Sequence, residues 1–370
     1  MEEKIRETFL SLYKDKIKEN ESYKEYMSSY NKDQIERLFK IYAVIMNDNK
    51  ELSKFTTLFS KTKKNIIKEL DLNKKKIYTT LIKCIDENIY SQLIFYLERY
   101  KGNIIEVKSN QLRVSLHFIE FLTTNCLAKV KYSKNKKIIT FYTPKELRED
   151  LKSILKNRKL KKLTKINGVI KENLHNIISA YGVIPVKRLN KIYDKTYGKI
   201  DYNFLIDKIL INCLFDDDIR LTLVDDDYYA YGVTFENEDE CLEFYYSLPE
   251  KLDYKVYKKK EYSQIGSGTY HRNTKEWEGL KNYLQEKYEM DDNDIINFDE
   301  EIVLDYLFSY QVDVKEAKKN LKNNIGLLFE NFKPKDRTYI TKSIEEISKN
   351  YPNYNYKGYS FNEINDKKNS

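Results

Sequence analysis

Two short β-hairpin patterns constrain the fold of this chain more than any other feature of its sequence. In the first, the β-prone runs AKVKY and KIITFY flank a polar turn at residues 133–136. Two stripes of apolar residues at helical spacing precede this hairpin: Leu93, Tyr96, Leu97 and Tyr100, then Leu112, Leu116, Ile119 and Leu122. The sequence therefore predicts two helices that meet at a turn around Gly102 and lead into a hairpin with lysines at its tip.

The same order of parts occurs a second time further along the chain. The run KENLHNIISAYG predicts a helix that ends at Gly182, Pro185 begins a second helix, and KIDYNFLIDKILINC predicts a third. A second hairpin follows, in which two β-prone runs flank Asp225, Asp226 and Asp227. Helices joined by a turn and followed by a hairpin are typical of a winged helix. We therefore expect two winged-helix-like units in tandem.

Few residues in this chain break helices, because its 370 residues include only 10 Gly and 5 Pro. Such a composition favours helices over sandwiches or barrels. Beyond the second hairpin, apolar residues three and four apart predict helices at residues 273–289, 293–310, 313–330 and 336–350. We expect a mostly α protein with small β-hairpin wings, of the α+β class, in which a helical C-terminal part follows the winged-helix-like units.

The segment before the first winged-helix-like unit is rich in lysine. Two short predicted helices are joined here by an extended loop, and the second helix opens with the run SKTKK at residues 60–64. This arrangement resembles the helix-loop-helix modules of the SAP and Rho N-terminal (Rho-N) type. The resemblance implies nucleic-acid binding. The alternative is that these lysines form a solvated helix face.

Across its whole length, the order of parts resembles that of a group of uncharacterised proteins from low-GC Gram-positive bacteria and their mobile elements. The matching features are the run SKTKKNIIKEL, the helices that close in YKGN and AYGV, and the ending PNYNYKGYSFNEI. Those proteins combine a Rho-N-like start with winged-helix-like units and a helical C-terminal part, and the resemblance implies no known activity. Some of them continue into a Cys-rich zinc module, which is not expected here because the last cysteine is Cys241.

These patterns divide the chain into five predicted segments. They are an N-terminal helix at residues 1–30, a Rho-N/SAP-like helical module at 31–86, a first winged-helix-like domain with a basic wing and helix at 87–165, a second, acidic winged-helix-like domain at 166–250, and a helical C-terminal domain at 251–365. Residues 164–168 are predicted to form a linker between the two winged-helix-like domains.

Charge is distributed unevenly along the chain. Residues 1–200 hold 43 Lys and Arg against 23 Asp and Glu, whereas residues 201–370 hold 23 against 35. A basic half of this kind is typical of proteins that bind a polyanion, so DNA or RNA is the expected ligand of residues 54–165. The candidate nucleic-acid-binding residues are Lys61, Lys63, Lys64, Arg113, His117, Lys129, Lys131, Lys134, Lys136, Lys137, Arg148, Lys152, Lys156, Arg158 and Lys159.

The second winged-helix-like unit has the opposite charge. Residues 205–250 hold 13 acids and only two bases, Lys208 and Arg220. A wing tipped with three aspartates would be repelled by phosphate, so a protein partner is the expected ligand of this part of the chain. The candidate partner-binding residues are Asp225, Asp226, Asp227, Tyr228, Tyr229, Tyr245 and Tyr246.

No stretch of the sequence assembles a catalytic or metal-binding pattern. The four cysteines lie far apart without a CxxC or Cys/His pairing, and the Gly-rich turn at residues 266–268 lacks a Walker pattern. We therefore expect no enzyme, no metal and no cofactor. The N-terminus has no apolar run of signal-peptide length and no stretch approaches the roughly 18 apolar residues of a membrane span, which favours the cytoplasm and no membrane partner.

Two functions remain open from the sequence alone. The first is a non-enzymatic nucleic-acid-binding regulator that uses the basic N-terminal half and the first winged helix. The alternative is a protein-interaction module, or an inhibitor, that docks on a nucleic-acid-processing partner through its acidic, aromatic-rich second half. Surface charge separates them: a continuous basic face favours nucleic acid, whereas basic residues neutralised by the protein's own acids favour a protein partner.

Overall fold

A computed structural model describes residues 2–38, 62–99, 102–215, 218–328 and 331–369. The chain divides into two compact units, Met1–Ile170 and Lys171–Ser370. Helices account for 66% of the chain, and the strands form two small three-stranded antiparallel sheets. The expectation of a mostly α protein of the α+β class is confirmed, whereas the finer division into five segments stays a prediction.

The first unit contains one sheet and six helices that can be traced from end to end. The helices are α1 (Glu2–Leu10), α2 (Tyr23–Ser28), α3 (Lys63–Cys84), α4 (Glu87–Arg99), α5 (Leu116–Thr124) and α6 (Lys145–Leu155). The strands are β1 (Ile104–Lys108), β2 (Lys129–Ser133) and β3 (Ile138–Tyr142), in the order β1-β3-β2. The next helix, α7 (Arg158–Ile178), contains the boundary between the two units.

Aromatic side chains hold the first sheet against its helices. Side chains alternate between the two faces of a strand, and on β3 Ile139 and Phe141 are fully buried. The ring of Tyr96 on α4 lies 5.7 Å from the ring of Phe141 and 6.2 Å from that of Phe118 on α5, between ring centroids. Large aromatic side chains bury more apolar area than other residues, so these contacts fix α4 and α5 on one face of the sheet.

The N-terminal segment closes the edge of this sheet at β2. Lys14 pairs with Lys131 in an antiparallel bridge, and the carboxylate of Asp15 accepts a hydrogen bond of 2.8 Å from the N–H of Val130. An uncovered edge would present unpaired backbone groups to other chains. This pairing requires extended backbone, so the helix predicted over residues 1–30 is interrupted, and α1 ends at Leu10.

The second unit combines the other sheet with a larger set of helices. The strands are β4 (Val183–Pro185), β5 (Ile219–Val224) and β6 (Asp227–Gly232), in the order β4-β6-β5. The helices that follow α7 are α8 (Val186–Thr196), α9 (Tyr202–Phe215), α10 (Glu238–Ser247), α11 (Lys259–Gly266), α12 (Lys275–Tyr288), α13 (Asp292–Phe298), α14 (Asp305–Val312), α15 (Val314–Leu328), α16 (Pro334–Asn350) and α17 (Phe361–Asn369). A π-helical segment, Asp299–Leu304, joins α13 to α14.

Both predicted hairpins are confirmed, as the strand pairs β2–β3 and β5–β6. The turn between β5 and β6 consists of Asp225 and Asp226, whose φ angles are +48° and +64°. Two successive residues at positive φ form the turn whose twist matches that of a hairpin, and Asp tolerates this conformation better than most residues. Strands β1 and β4 were not predicted; each pairs with the last strand of its sheet.

The linker predicted at residues 164–168 is wrong, because α7 runs through it without a break. Asn167 is buried on this helix, and its side-chain amide donates to the carbonyls of Lys83, at 2.8 Å, and Ile85, at 3.0 Å. These carbonyls lie at the end of α3, where a helix leaves its last carbonyl groups unpaired. These two hydrogen bonds to the end of α3 therefore keep Asn167 and Gly168 in a helical conformation.

The four C-terminal helical predictions are confirmed by α12, by α13 with α14, by α15 and by α16. Their shared core includes Trp277, Leu284, Phe298, Leu321 and Ile344. One buried polar cluster lies beside it: the carboxylate of Asp336 on α16 accepts hydrogen bonds from three side chains of α12, namely Lys287, Tyr283 and Tyr288.

Two glycines let the C-terminal segment approach the second sheet closely. Gly182 has a φ of +71° and faces Tyr354, and Gly358 has a φ of +87° and faces Tyr181. A β-carbon at position 182 would lie 2.7 Å from Cδ2 of Tyr354, and one at position 358 would lie 2.6 Å from Cε1 of Tyr181. Any larger residue would therefore meet both backbone strain and a steric clash.

We expect Gly182→Ala to lower the free energy of unfolding by about 2 kcal/mol or more, because it adds a clash to a left-handed backbone. The matched control is Gly279→Ala on α12, where nothing lies within 4 Å of the added carbon. That change should raise stability by about 0.5–1 kcal/mol, as expected for Gly to Ala inside a helix. Urea unfolding followed by the fluorescence of the single tryptophan, Trp277, measures both; equal effects would contradict the close approach.

The hydrogen bond from Lys287 holds the pKa of Asp336 well below its ordinary value. Because the pKa is lower in the folded chain, this carboxylate stabilises the fold above the unfolded-state pKa, about 3.9, and loses that contribution as the pH falls towards the folded-state pKa. The stability difference between the parent and Asp336→Asn should therefore be constant near neutral pH and shrink below about pH 4. Glu286→Gln, an exposed change on α12, is the control; a pH-independent difference for Asp336→Asn would contradict the assignment.

Candidate nucleic-acid interface

The first hairpin exposes most of its lysines. Lys131, Lys134 and Lys136 are exposed, and none of the three side chains has an acidic partner among the residues that the structure describes. Lys137 is exposed as well, but its ammonium group lies 2.8 Å from the carboxylate of Glu7 on α1. The tip of this hairpin therefore carries two lysines without an acidic partner in the described residues, Lys134 and Lys136, and one that is partly neutralised.

Lys129 is buried at the start of the same hairpin, with only 2% of its surface exposed. Its Nζ lies 2.6 Å from Oε2 of Glu21 and 5.0 Å from the ring centroid of Tyr26. A buried cation needs such a partner because removal from water is costly. Lys129 is thus unavailable to a phosphate, and the structure corrects its assignment to a nucleic-acid-binding role.

Arg148 is also buried, at 5% exposure, and it belongs to the packing of α6 against α4. Its Nη2 donates to the carbonyl of Leu97 at 2.7 Å, and its guanidinium lies 5.6 Å from the ring centroid of Tyr96. Burial lowers the pKa of Arg148 from its ordinary value. The side chain stabilises the C-terminal end of α4, so its predicted role in phosphate binding is corrected in the same way.

The candidates on α3 and α5 present a mixed surface. Arg113 and His117 are exposed, but α5 begins only at Leu116, so Arg113 precedes the helix. Glu120 is exposed one turn after His117 and would oppose a phosphate there.

On α3, Lys64 is exposed and the ammonium group of Lys63 donates to the carbonyl of Ser28 at 2.6 Å. The candidate Lys61 and residues 39–60 of the predicted Rho-N/SAP-like module lie outside the described residues.

Within the described residues, a group of unpaired cations lies at the end of α6 and the beginning of α7. We call this group the basic strip: Lys152, Lys156, Arg158, Lys159, Lys161 and Lys162. All six side chains are exposed, and none has an acidic partner within the described part of the chain. Between Asp150 and Glu172 the sequence contains no acid, so no neighbour along the chain neutralises them.

Helical spacing gathers half of the strip on one face of α7. Arg158, Lys161 and Lys162 stand three and four residues apart, and Lys165, one turn further, pairs with Glu87 at 3.3 Å. Leu160 is buried on the opposite face. Lys161 and Lys162 were absent from the candidate residues, although they precede the predicted linker. The five basic residues among residues 156–162 were the signal that could have found them.

The start of α7 adds a positive helix end to these cations. The first turn of α7 contains no acid, and the side-chain oxygen of Asn157 accepts a hydrogen bond from the N–H of Lys159 at 3.0 Å. Helix N-termini carry a partial positive charge, and acids usually offset it. Here basic side chains stand in their place, so an anion would relieve the repulsion between the helix end and its own side chains.

The candidate partner-binding residues lie on the β5–β6 hairpin and on α10. Asp225 and Asp226 are exposed at the turn, whereas Asp227 lies in β6 and forms an ion pair with Lys187. The remaining candidates are tyrosines: the rings of Tyr229 and Tyr245 lie 4.7 Å apart, and those of Tyr245 and Tyr246 lie 5.6 Å apart. Tyr246 is 63% exposed, and Tyr228 is half-buried.

Across the described ranges, no group of three or more His, Cys, Asp and Glu is placed to hold a metal ion. Within those ranges there is also no helix whose length and apolar character would suffice to span a bilayer. No family model, no curated protein and no solved structure matches the chain.

Lys129 and Lys131 lie on the same strand, one buried in an ion pair and the other exposed. Replacing each in turn compares how much a buried and an exposed lysine contribute to stability. We expect Lys129→Met to lower the free energy of unfolding by about 3 kcal/mol, since it leaves Glu21 without its buried partner. Lys131→Met changes an exposed side chain and should stay within about 0.5 kcal/mol of the parent. Chemical unfolding followed by far-ultraviolet circular dichroism measures both. A parent-like Lys129→Met variant would show that the ion pair contributes little.

Proposed function

We propose that this chain is a non-enzymatic nucleic-acid-binding regulator that holds the phosphate backbone of DNA or RNA on the basic strip of its first unit. The observation that carries the proposal is the set of six exposed, unpaired cations at the junction of α6 and α7. Met1–Ile170 hold 37 Lys and Arg against 21 Asp and Glu, so the unit as a whole attracts polyanions. Phosphate contacts of this kind position a protein without reading bases.

The order of elements in each sheet-containing part supports a pair of winged-helix-like units. In the second unit, the C-terminal part of α7 is followed by β4, α8, α9, β5 and β6, in the order helix, strand, two helices and a hairpin. In the first, α4, β1, α5, β2 and β3 follow the same order, and a short 3-10 turn, Ser109–Gln111, stands where the first of the two middle helices would be. In such units, helix and wing both contact nucleic acid, so Lys134 and Lys136 are proposed as a second set of contacts.

The expected strength of salt dependence follows from the number of cations. Each phosphate that is neutralised releases condensed counterions, and the slope of log affinity against log salt is about −0.9 per contact on duplex DNA. If each of the six strip residues neutralises one phosphate, the strip should contribute about −5 to the slope, and Lys134 and Lys136 should contribute about −2 more. The second unit holds 29 Lys and Arg against 37 Asp and Glu, and it opposes binding rather than adding to it.

We expect the triple change Arg158→Ala, Lys161→Ala and Lys162→Ala to weaken binding to all sequences alike and to reduce the salt slope by about 3 units. The fold should survive, because exposed substitutions usually stay within about 0.5 kcal/mol each. Fluorescence anisotropy with labelled duplex DNA, duplex RNA and single strands, repeated over a range of salt, measures the slope and also distinguishes the three ligands.

Two control variants make this experiment specific. The changes Lys315→Ala, Lys322→Ala and Lys342→Ala remove three exposed lysines from the second unit, so the loss of net charge is the same. This control should leave the slope unchanged. The pair Lys134→Ala and Lys136→Ala tests the wing, and should reduce the slope by about 2. If the strip variant and the second-unit control behave alike, the strip is not the contact and the proposal fails.

A protein partner for the second unit is a second candidate function, favoured by one observation. Tyr246 exposes 63% of its surface beside Tyr245 and Tyr229, within an acidic part of the chain. Exposed tyrosines are frequent anchors of protein interfaces. A basic surface of a nucleic-acid-processing protein would match this patch in charge. If the full chain fails to bind any nucleic acid at about 50 mM salt, where phosphate contacts are strong, this function takes precedence.

A further inference from the structure

The second unit contains a cleft. None of the candidate binding residues described above is among the residues that line it. Its volume is about 570 Å³, which lies within the range of about 300–1,000 Å³ typical of small-molecule sites. The C-terminal part of α7, the end of β6 and the segment after it, and helices α14 and α15 form its walls. We propose that this cleft binds a small organic molecule that combines an apolar, flat body with a protonated amine.

The apolar side chains that line the cleft are the reason for proposing a ligand with an apolar body. Ile178, Ala317 and Tyr354 are buried and line its walls, and Phe308 and Val233 expose 41% and 57% of their surfaces and also line it. Large apolar side chains on a concave surface hold water poorly, so an apolar ligand gains free energy by displacing that water. The ring of Phe308 offers a surface on which a flat apolar group can pack.

The acidic side chains that line the cleft are the reason for proposing a protonated amine in the ligand. Asp313 and Glu316, at the junction of α14 and α15, line it together with Asp218, and neither Lys nor Arg is among its lining residues. The carboxylate of Asp313 is fixed in place, since it accepts hydrogen bonds of 2.8 Å and 3.0 Å from the N–H groups of Lys315 and Glu316. Glu316 lies 3.4 Å from Lys319, which offsets part of its charge. Asp313 caps the positive N-terminus of α15, but unlike Glu316 it has no basic side chain in ion-pair contact within the described residues, so we take it as the counter-ion for a ligand cation.

His175 also lines the cleft, and its Nε2 donates a hydrogen bond to the carbonyl of Gly266 at 3.3 Å. The polar side chains of the cleft are otherwise carboxylates, hydroxyl groups and a side-chain amide. This set favours a cationic ligand over an anionic one and is separate from the proposed phosphate contacts.

Three naphthalene probes of equal shape and different charge test the proposal on the full chain. Isothermal titration calorimetry should show that naphthylmethylamine binds about tenfold more tightly than the neutral naphthalenemethanol, and that naphthoate binds more weakly than either. If naphthoate binds as tightly as the amine, or if none of the probes binds at concentrations up to about 1 mM, the proposal is overturned.

Two variants show whether binding occurs in this cleft. Asp313→Asn keeps the capping hydrogen bonds, because Asn and Asp are equally good N-caps, but it removes the charge. It should reduce the preference for the amine over the alcohol to about threefold or less.

Val233→Arg changes an exposed residue at the cleft and should reverse the preference in favour of naphthoate. The control Glu243→Gln removes an exposed acid of α10 that lies outside the cleft. Should Asp313→Asn and Val233→Arg, both with parent-like thermal unfolding, retain the parent's preference, the probes bind elsewhere and the site is refuted.

Discussion

The pairing of the N-terminal segment with the edge of β2 is the constraint on which the first unit depends. A three-stranded sheet buries one face easily, but its outer strand keeps a row of backbone groups that need partners. Residues 13–15 supply them, and in doing so they bring three acids beside the hairpin. Glu7 then meets Lys137, Asp15 meets the backbone of Val130, and Glu21 meets Lys129. The backbone requirement thus decides how many of the charged groups of the β2–β3 hairpin remain exposed to solvent.

This coupling between sheet closure and charge changes which cations count for function. Lys129 and Lys131 are two residues apart on one strand, yet the first is buried against Glu21 and the second is exposed. The sum of charges along a segment therefore overstates its affinity for a polyanion, because a paired cation releases few counterions. The basic strip escapes this loss, since its part of the sequence contains no acid and its helix turns the side chains outwards. It is the segment in which sequence charge and available charge agree best.

The elements that could be predicted are those whose pattern is local. The hairpins β2–β3 and β5–β6 and the C-terminal helices follow from alternation, turn residues and helical spacing in short windows. Strand β1 could not be found in this way, because it pairs with β3 after an intervening helix. The continuity of α7 depends on Asn167, whose partners are the carbonyls of Lys83 and Ile85 at the end of α3. In the candidate interface, exposed lysines were predictable, whereas the burial of Lys129 and Arg148 required the tertiary partners to be known.

Tyrosine shows why the abundance of a residue type says little about binding. The chain has 33 Tyr, and some form hydrogen-bonded pairs inside the core, such as Tyr23 with Tyr78 and Tyr26 with Tyr30. Burial raises the pKa of each of these four hydroxyls, so they remain neutral and serve as paired donors and acceptors among apolar groups. A buried hydroxyl without a partner would cost free energy, and pairing two tyrosines satisfies both at once. The aromatic content therefore builds the core, and only a tyrosine that the fold leaves exposed, such as Tyr246, can contribute to a surface that binds a partner.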